Sequence, residues 1–150
     1  MTYVDKILEP GETVRYRTTL SWTVYANGIC VALAALIAAY GGVKLAVPSF
    51  QLLAAALALI ALVALVFAHL KRASTEIAVT DRRIIFKRGL IRRHTVEMNM
   101  QKVESVDVDQ TLLGRLFDYG DVTVRGVGSS FERLDFIDAP LKLRSTVTAG

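Results

Sequence analysis

The sequence carries very little with which to do covalent or metal chemistry. It has one cysteine, Cys30, so no internal disulfide can form, and two histidines. Neither His69 nor His94 belongs to a metal-ligand spacing. No phosphate-cradling glycine loop or dinucleotide fingerprint occurs, and Gly126–Val127–Gly128 is a turn signal only. Asp107 and Asp109 alternate with Val106 and Val108, as the solvated face of a strand would. These absences leave no catalytic residue, no cofactor, no metal and no small-molecule substrate to assign, and the expectation is a protein that is not an enzyme. Charge is missing too. From Leu20 to Val43 there is none, Lys44 interrupts, and from Leu45 to Leu70 there is none again with His69 neutral.

Each uncharged run is long enough to cross about 30 Å of hydrocarbon, which takes about 20 apolar residues in a helix. The pattern predicts a membrane α-helical hairpin, with transmembrane helices at about 21–43 and 48–70. A soluble protein with two buried helices is the competing reading. It is disfavoured because Gln51–Leu70 lacks the polar face that globular helices carry. A cleaved signal peptide is disfavoured as well, since about 20 mixed polar residues precede the run and the run exceeds a signal's apolar segment. Gly41–Gly42 is expected to end the first helix and Pro48 to open the second. Trp22, Tyr25 and Tyr40 mark headgroup levels.

Small residues recur along each helix. Ala26, Cys30, Ala34 and Ala38 repeat every fourth position in the first, and Ala54, Ala61 and Ala68 every seventh in the second. Such rows let helix backbones approach closely, and the expectation is a helix-packing seam within the hairpin or between copies. Basic residues flank the outer ends of the two runs, with Arg15, Arg17, Lys71 and Arg72 on one side against Lys44 on the other. The excess of Lys and Arg places both termini in the cytoplasm.

After residue 70 the period changes to alternation. Ile77 with Val79, Val96 with Met98 and Met100, Val106 with Val108, and Val122 with Val124 alternate along successive strands, among them Arg83–Lys87 as the second, Leu90–Met100 as the third and Phe131–Ile137 as the last. Thr80–Asp81–Arg82, Arg88–Gly89 and Gly126–Ser130 mark turns. Strand signals at this density indicate an antiparallel bent sheet or small barrel. Thr111–Tyr119 interrupts it as a helical turn or a loop. Asp138 is expected to cap a short C-terminal helix through Leu141, Leu143 and Val147. Thr13–Leu20 fits either a strand or an interfacial segment. The organisation expected is an N-terminal cytoplasmic segment 1–20, the hairpin 21–70 and a mainly-β domain 71–150.

Four stretches carry a family resemblance: Glu76–Phe86 (EIAVTDRRIIF), Val96–Gln110 (VEMNMQKVESVDVDQ), Leu113–Gly126 (LGRLFDYGDVTVRG) and Leu134–Pro140 (LDFIDAP), with Leu8–Glu12 (LEPGE) near the start. With them the chain resembles the YdbS-like family of bacterial membrane proteins, which join two spans to a pleckstrin-homology-like (PH-like) domain. The resemblance implies a PH-like fold closed by a C-terminal helix, a place in the bacterial cytoplasmic (inner) membrane, and a scaffold or assembly role alongside a second PH-domain membrane protein, while the small-residue rows permit a homo-oligomer.

The strongest charge feature is basic. Arg82, Arg83, Lys87, Arg88, Arg92 and Arg93 fall on two predicted turns and their strands, and Lys71 and Arg72 adjoin the membrane. An anionic leaflet attracts each nearby Lys or Arg by about 1 kcal/mol. These residues are therefore the candidate surface for anionic lipid headgroups or for a protein partner, with a solvated face as the plainer alternative. Nucleic acid is disfavoured because no aromatic platform interleaves them. Two readings follow: a membrane-anchored protein-binding or scaffolding module, and an anionic-lipid headgroup-binding module.

Overall fold

A computed structural model describes residues 3–89, 93–127 and 131–149. The chain divides into two compact units. One comprises residues 24–70, and the other is assembled from 1–23 together with 71–150.

The first unit is a helical pair. A 3₁₀ turn at Trp22–Tyr25 leads into α2 (Ala26–Leu45), and α3 runs from Pro48 to Ala73. Both are long and apolar enough to cross a membrane. Their large apolar side chains point outward: Leu36, Ile37, Leu52 and Phe67 are 66–75% exposed. Gly41–Gly42 does not end the first helix. The helix continues to Leu45 and stops at Ala46, which takes the left-handed conformation at φ 53°. Gly42 is instead a point of close approach. A Cβ there would stand 3.1 Å from Phe50 Cβ and 3.2 Å from the Gln51 backbone nitrogen.

The residues that α2 buries are Gly28, Ala35 and Gly42, spaced by seven. Ala26, Cys30 and Ala34 are exposed and Ala38 half-buried, so the four-residue row does not form the contact within the pair. The physical reason is size. Glycine lacks even the Cβ that alanine keeps, and at Gly28 a Cβ would fall 2.7 Å from Leu65 Cδ2. On α3, Ala54 and Ala61 are buried and Ala68 half-buried.

The second unit holds two antiparallel sheets. The four-stranded sheet has the order β1-β2-β3-β4, with β1 Val14–Thr18, β2 Glu76–Thr80, β3 Arg83–Arg88 and β4 His94–Asn99. The three-stranded sheet has β5 Val103–Asp109, β6 Tyr119–Gly126 and β7 Phe131–Asp138 in sequence order. Leu90–Arg92, expected to begin the third predicted strand, and Gly128–Ser130 of the glycine-rich turn lie outside the described residues. Helix α4 (Leu112–Leu116) joins β5 to β6, and α5 (Pro140–Thr148) follows β7 with Pro140, Leu143 and Val147 buried. Two long apolar helices with a mainly-β unit of two antiparallel sheets are consistent with a PH-like fold.

The N-terminal stretch is a strand of this unit. β1 pairs with β2, from Val14 opposite Thr80 to Thr18 opposite Ile77, although both long helices lie between them in sequence. Beyond β1 the chain reaches the other sheet. Leu20 bridges Ile137, the Ser21 N–H donates to the Phe136 carbonyl at 2.7 Å, and the Asp138 N–H donates to the Thr19 carbonyl at 3.1 Å. The Thr19 hydroxyl donates to the Thr75 carbonyl at 2.8 Å, fastening the point where the chain leaves the unit to the point where it returns. This unit thus starts well before the boundary at residue 71 that hydropathy suggested.

Asp138 does not cap α5. It ends β7 with its backbone committed to Thr18 and Thr19, and Ala139, at φ 46°, precedes the helix with Pro140 in its first turn. A helix α1 (Tyr3–Ile7) covers one face of the four-stranded sheet, where Val4 packs with Ala78 and Ile85. That cover explains why β2 and β3 are buried on both faces: Ile77, Ala78 and Val79 are all inaccessible, as are Ile84, Ile85 and Phe86.

Gly42→Leu should lower the thermal stability of the detergent-solubilised full chain by roughly 1–3 kcal/mol, the usual cost of overpacking a contact. Gly41→Leu, where nothing lies within 4 Å, should leave it unchanged. Melting followed by far-ultraviolet circular dichroism compares the two.

Candidate functional site

The candidate surface is centred on the β2–β3 turn, where strand register sets each cation. In the buried hairpin, inward positions are taken by Ile84 and Phe86. Arg83 and Lys87 flank them, and Arg83 is drawn toward the N-terminal segment.

Arg83 is the hub. Its Nη2 donates to Glu12 Oε2 at 2.8 Å and to the Ile7 carbonyl at 3.0 Å, its Nε donates to Glu12 Oε1 at 3.0 Å, and its Nη1 donates to Glu97 Oε2 at 2.9 Å. Glu12 in turn accepts from the Thr80 hydroxyl at 2.7 Å, and its Oε2 accepts from the Glu9 N–H at 2.9 Å. The Glu12 side chain is fully inaccessible and that of Arg83 is 19% exposed. Burial alone would raise the Glu12 pKa. The hydrogen bonds from Arg83, the Glu9 N–H and Thr80, with the Arg83 charge, outweigh it and hold the carboxyl at about 2 instead of 4.5. The hydrogen bond to Glu12 likewise raises the Arg83 pKa above its ordinary value against the opposing effect of burial.

The other cations have acidic neighbours as well. Arg82 pairs with Glu9 at 3.1 Å. Lys87 lies 3.5 Å from Glu76 and over the Tyr3 ring at 4.9 Å. Arg88 lies 3.7 Å from Glu132, which His94 approaches at 4.0 Å. On β1, Arg17 bonds Asp5. Arg93 is exposed and Arg92 lies outside the described residues. Lys71 is exposed near the end of α3, and the Arg72 carbonyl accepts from the Thr75 N–H and the Thr19 hydroxyl.

The structure therefore brings Arg82 and Arg83 together at one clamp on the N-terminal segment and Lys87 and Arg88 on separate partners further along β3. Sequence reasoning treated the run as one surface and missed Glu12 and Glu9. The signal was present in the acidic residues flanking Pro10–Gly11, but their partner lies some 70 residues away. Among the described residues no group of three or more His, Cys, Asp or Glu is arranged to hold a metal ion.

Two antiparallel sheets followed by a C-terminal helix are consistent with a PH-like fold. The chain belongs to the bacterial PH domain family, whose model matches residues 22–146 and so takes in both long helices and all strands after β1. Domains of this kind are generally non-catalytic and bind proteins or lipids. Comparison with curated proteins found no match, nor did comparison with solved structures.

Removing one side of a buried ion pair strands the other, at about 3–5 kcal/mol. Glu12→Ala should destabilise the β unit by that order, with faster amide exchange in β1 than in β6. The Glu12 pKa is lower folded than unfolded, so its stabilisation is complete above about pH 4.5 and is lost as the pH falls toward 2. A shift of this size is worth roughly 3 kcal/mol. Acid melting curves of the full chain should show the loss in that window, and Glu12→Gln should flatten it.

Proposed function

We propose that the chain is a non-enzymatic, membrane-anchored protein-binding or scaffolding module of the bacterial cytoplasmic membrane, of the kind its YdbS-like resemblance implies. The two long helices cross the bilayer, both termini are cytoplasmic, and the PH-like unit is presented to partners there. The observation that carries the reading is the outward face of the helical pair. Large apolar side chains such as Ile37 and Leu52 are about three-quarters exposed along helices of 20 and 26 residues. Contiguous apolar surface on this scale is unstable in water and is matched by lipid.

The binding role is supported by the family and by the wiring of the unit. In that unit the paired strands β1 and β2 are joined in sequence through the two long helices. Assembly with a second copy or with another PH-domain membrane protein fits the exposed row Ala26, Cys30 and Ala34 on α2, which the helical pair itself leaves uncovered.

A second reading, binding of anionic headgroups, is favoured by one placement. Lys71 and Arg72 stand in the last turn of the apolar helix α3, the level at which basic side chains meet lipid phosphates. Arg82, Arg83, Lys87 and Arg88 support it less, because each already faces a carboxylate.

Crosslinking in native membranes through a C-terminal affinity tag, followed by mass spectrometry, tests the main reading. A reproducible second protein or a self-crosslink is expected. Its loss should follow Arg88→Glu with Arg93→Glu if the basic surface is the contact, and Ala34→Leu if the α2 row is. Recovery of the uncrosslinked chain alone at every crosslinker length contradicts the scaffold.

A further inference from the structure

Helix α4 is built inside out for a water-soluble unit. Gly114 is its buried position, set so close to β6 that a Cβ would fall 2.6 Å from the Tyr119 carbonyl oxygen. The leucines face outward: Leu112 is 84% exposed, Leu113 60% and Leu116 74%. The helix is nonetheless firmly made. The Thr111 hydroxyl caps it by accepting from the Gly114 N–H at 3.0 Å, and Gln110 Nε2 donates to the Tyr119 carbonyl at 3.1 Å beneath it. A fixed helical turn that hides its glycine and shows its leucines has an apolar occupant for that face.

Position in the chain says which. The ring of Phe117, which follows α4, meets the ring of Trp22 edge-on at 5.4 Å between centroids. Trp22 is the only tryptophan of the chain and the residue at which the first apolar span begins. Beside it, the carbonyl of Phe136 accepts from the Ser21 N–H. Phe136 sits in a bulge, where Leu134 pairs with Val122 but Ile137 with Gly120. Its φ is +59°, a conformation that a bulky residue adopts only under constraint. The ring is 42% exposed and stacks on Tyr119, the strand residue that seats Gly114. Leucines, Phe117, Trp22 and Phe136 thus gather where the chain leaves the β unit for the hairpin. Arg115 flanks them, exposed, with a stem long enough to reach phosphates from a lipid-facing turn.

From this we infer that α4, with Phe117, Trp22 and Phe136, is a membrane-inserting wedge: its leucines enter the acyl–headgroup boundary of the bilayer and hold the PH-like unit to it. The inference rests on the membrane-anchored reading and adds to it a lipid contact made by the β unit itself, through apolar side chains rather than through the basic run.

The test is nitroxide accessibility in the full-length chain, in nanodiscs of phosphatidylethanolamine and phosphatidylglycerol. On a Cys30→Ala background, single labels are placed through Leu116→Cys and, as the span reference, Ile37→Cys. Both positions are exposed, so neither substitution disturbs packing. Collisions with oxygen are expected to exceed those with a water-soluble nickel chelate several-fold at both sites. A label at 116 open to the chelate while that at 37 is not would overturn the wedge and leave the anchor standing. Exclusion of both reagents at 116 would mean that protein covers the leucines, and would overturn it equally. Chelate access at 37 would remove the anchor and the wedge together.

Discussion

The pairing of β1 with β2 is the constraint on which the rest of the structure depends. These two strands are neighbours in one sheet, yet the chain between them makes both long helices. The sheet cannot close until the chain has gone out and returned, and both feet of the hairpin must then emerge together. The Thr19 hydroxyl on the Thr75 carbonyl holds them there. The helical pair is therefore an insertion within the PH-like unit rather than a leader tied to its front.

That arrangement also accounts for where the charge goes. An edge strand supplied from a distance needs a specific lock, and Glu12 with Arg83 is one. A buried carboxylate is tolerable only with its hydrogen-bonding capacity filled, and Glu12 fills it from Arg83, Thr80 and the Glu9 N–H. The same guanidinium reaches the Ile7 carbonyl and Glu97, so a single side chain joins the N-terminal segment, β3 and β4. Of the basic residues that look like an open patch in sequence, Arg83 and Lys87 are largely buried fasteners, whereas Arg82 and Arg88 pair with carboxylates at the surface.

What could be read from the sequence was what local period encodes. Val122 and Val124 alternate with polar residues and are inaccessible, and the uncharged runs became α2 and α3. What could not be read depends on partners remote in sequence. Nothing in Val14–Thr18 says that its neighbour lies beyond two helices, and the alternation of Ile77 and Val79 does not reveal that β2 is buried on both faces, because α1 covers the second face of the sheet through Val4. Asp138 has the side chain of a helix cap, but its backbone is taken by the Thr18 hydroxyl and the Thr19 carbonyl. Gly42 resembles a helix stop and is a contact, a difference that only the position of Phe50 and Gln51 decides. Of the candidate surface, residue types were legible but pairing was not, since Glu9 and Glu12 face Arg82 and Arg83 across the same long gap.

The central claim is that this insertion crosses a membrane, and impermeant thiol labelling tests it most directly. On a Cys30→Ala background, Ser49→Cys marks the tip of the hairpin and Lys102→Cys an exposed turn of the β unit. In right-side-out vesicles the account predicts labelling at 49 and not at 102, and in inside-out vesicles the reverse. Labelling of both positions from the same side would show that the helices do not cross, and would contradict it.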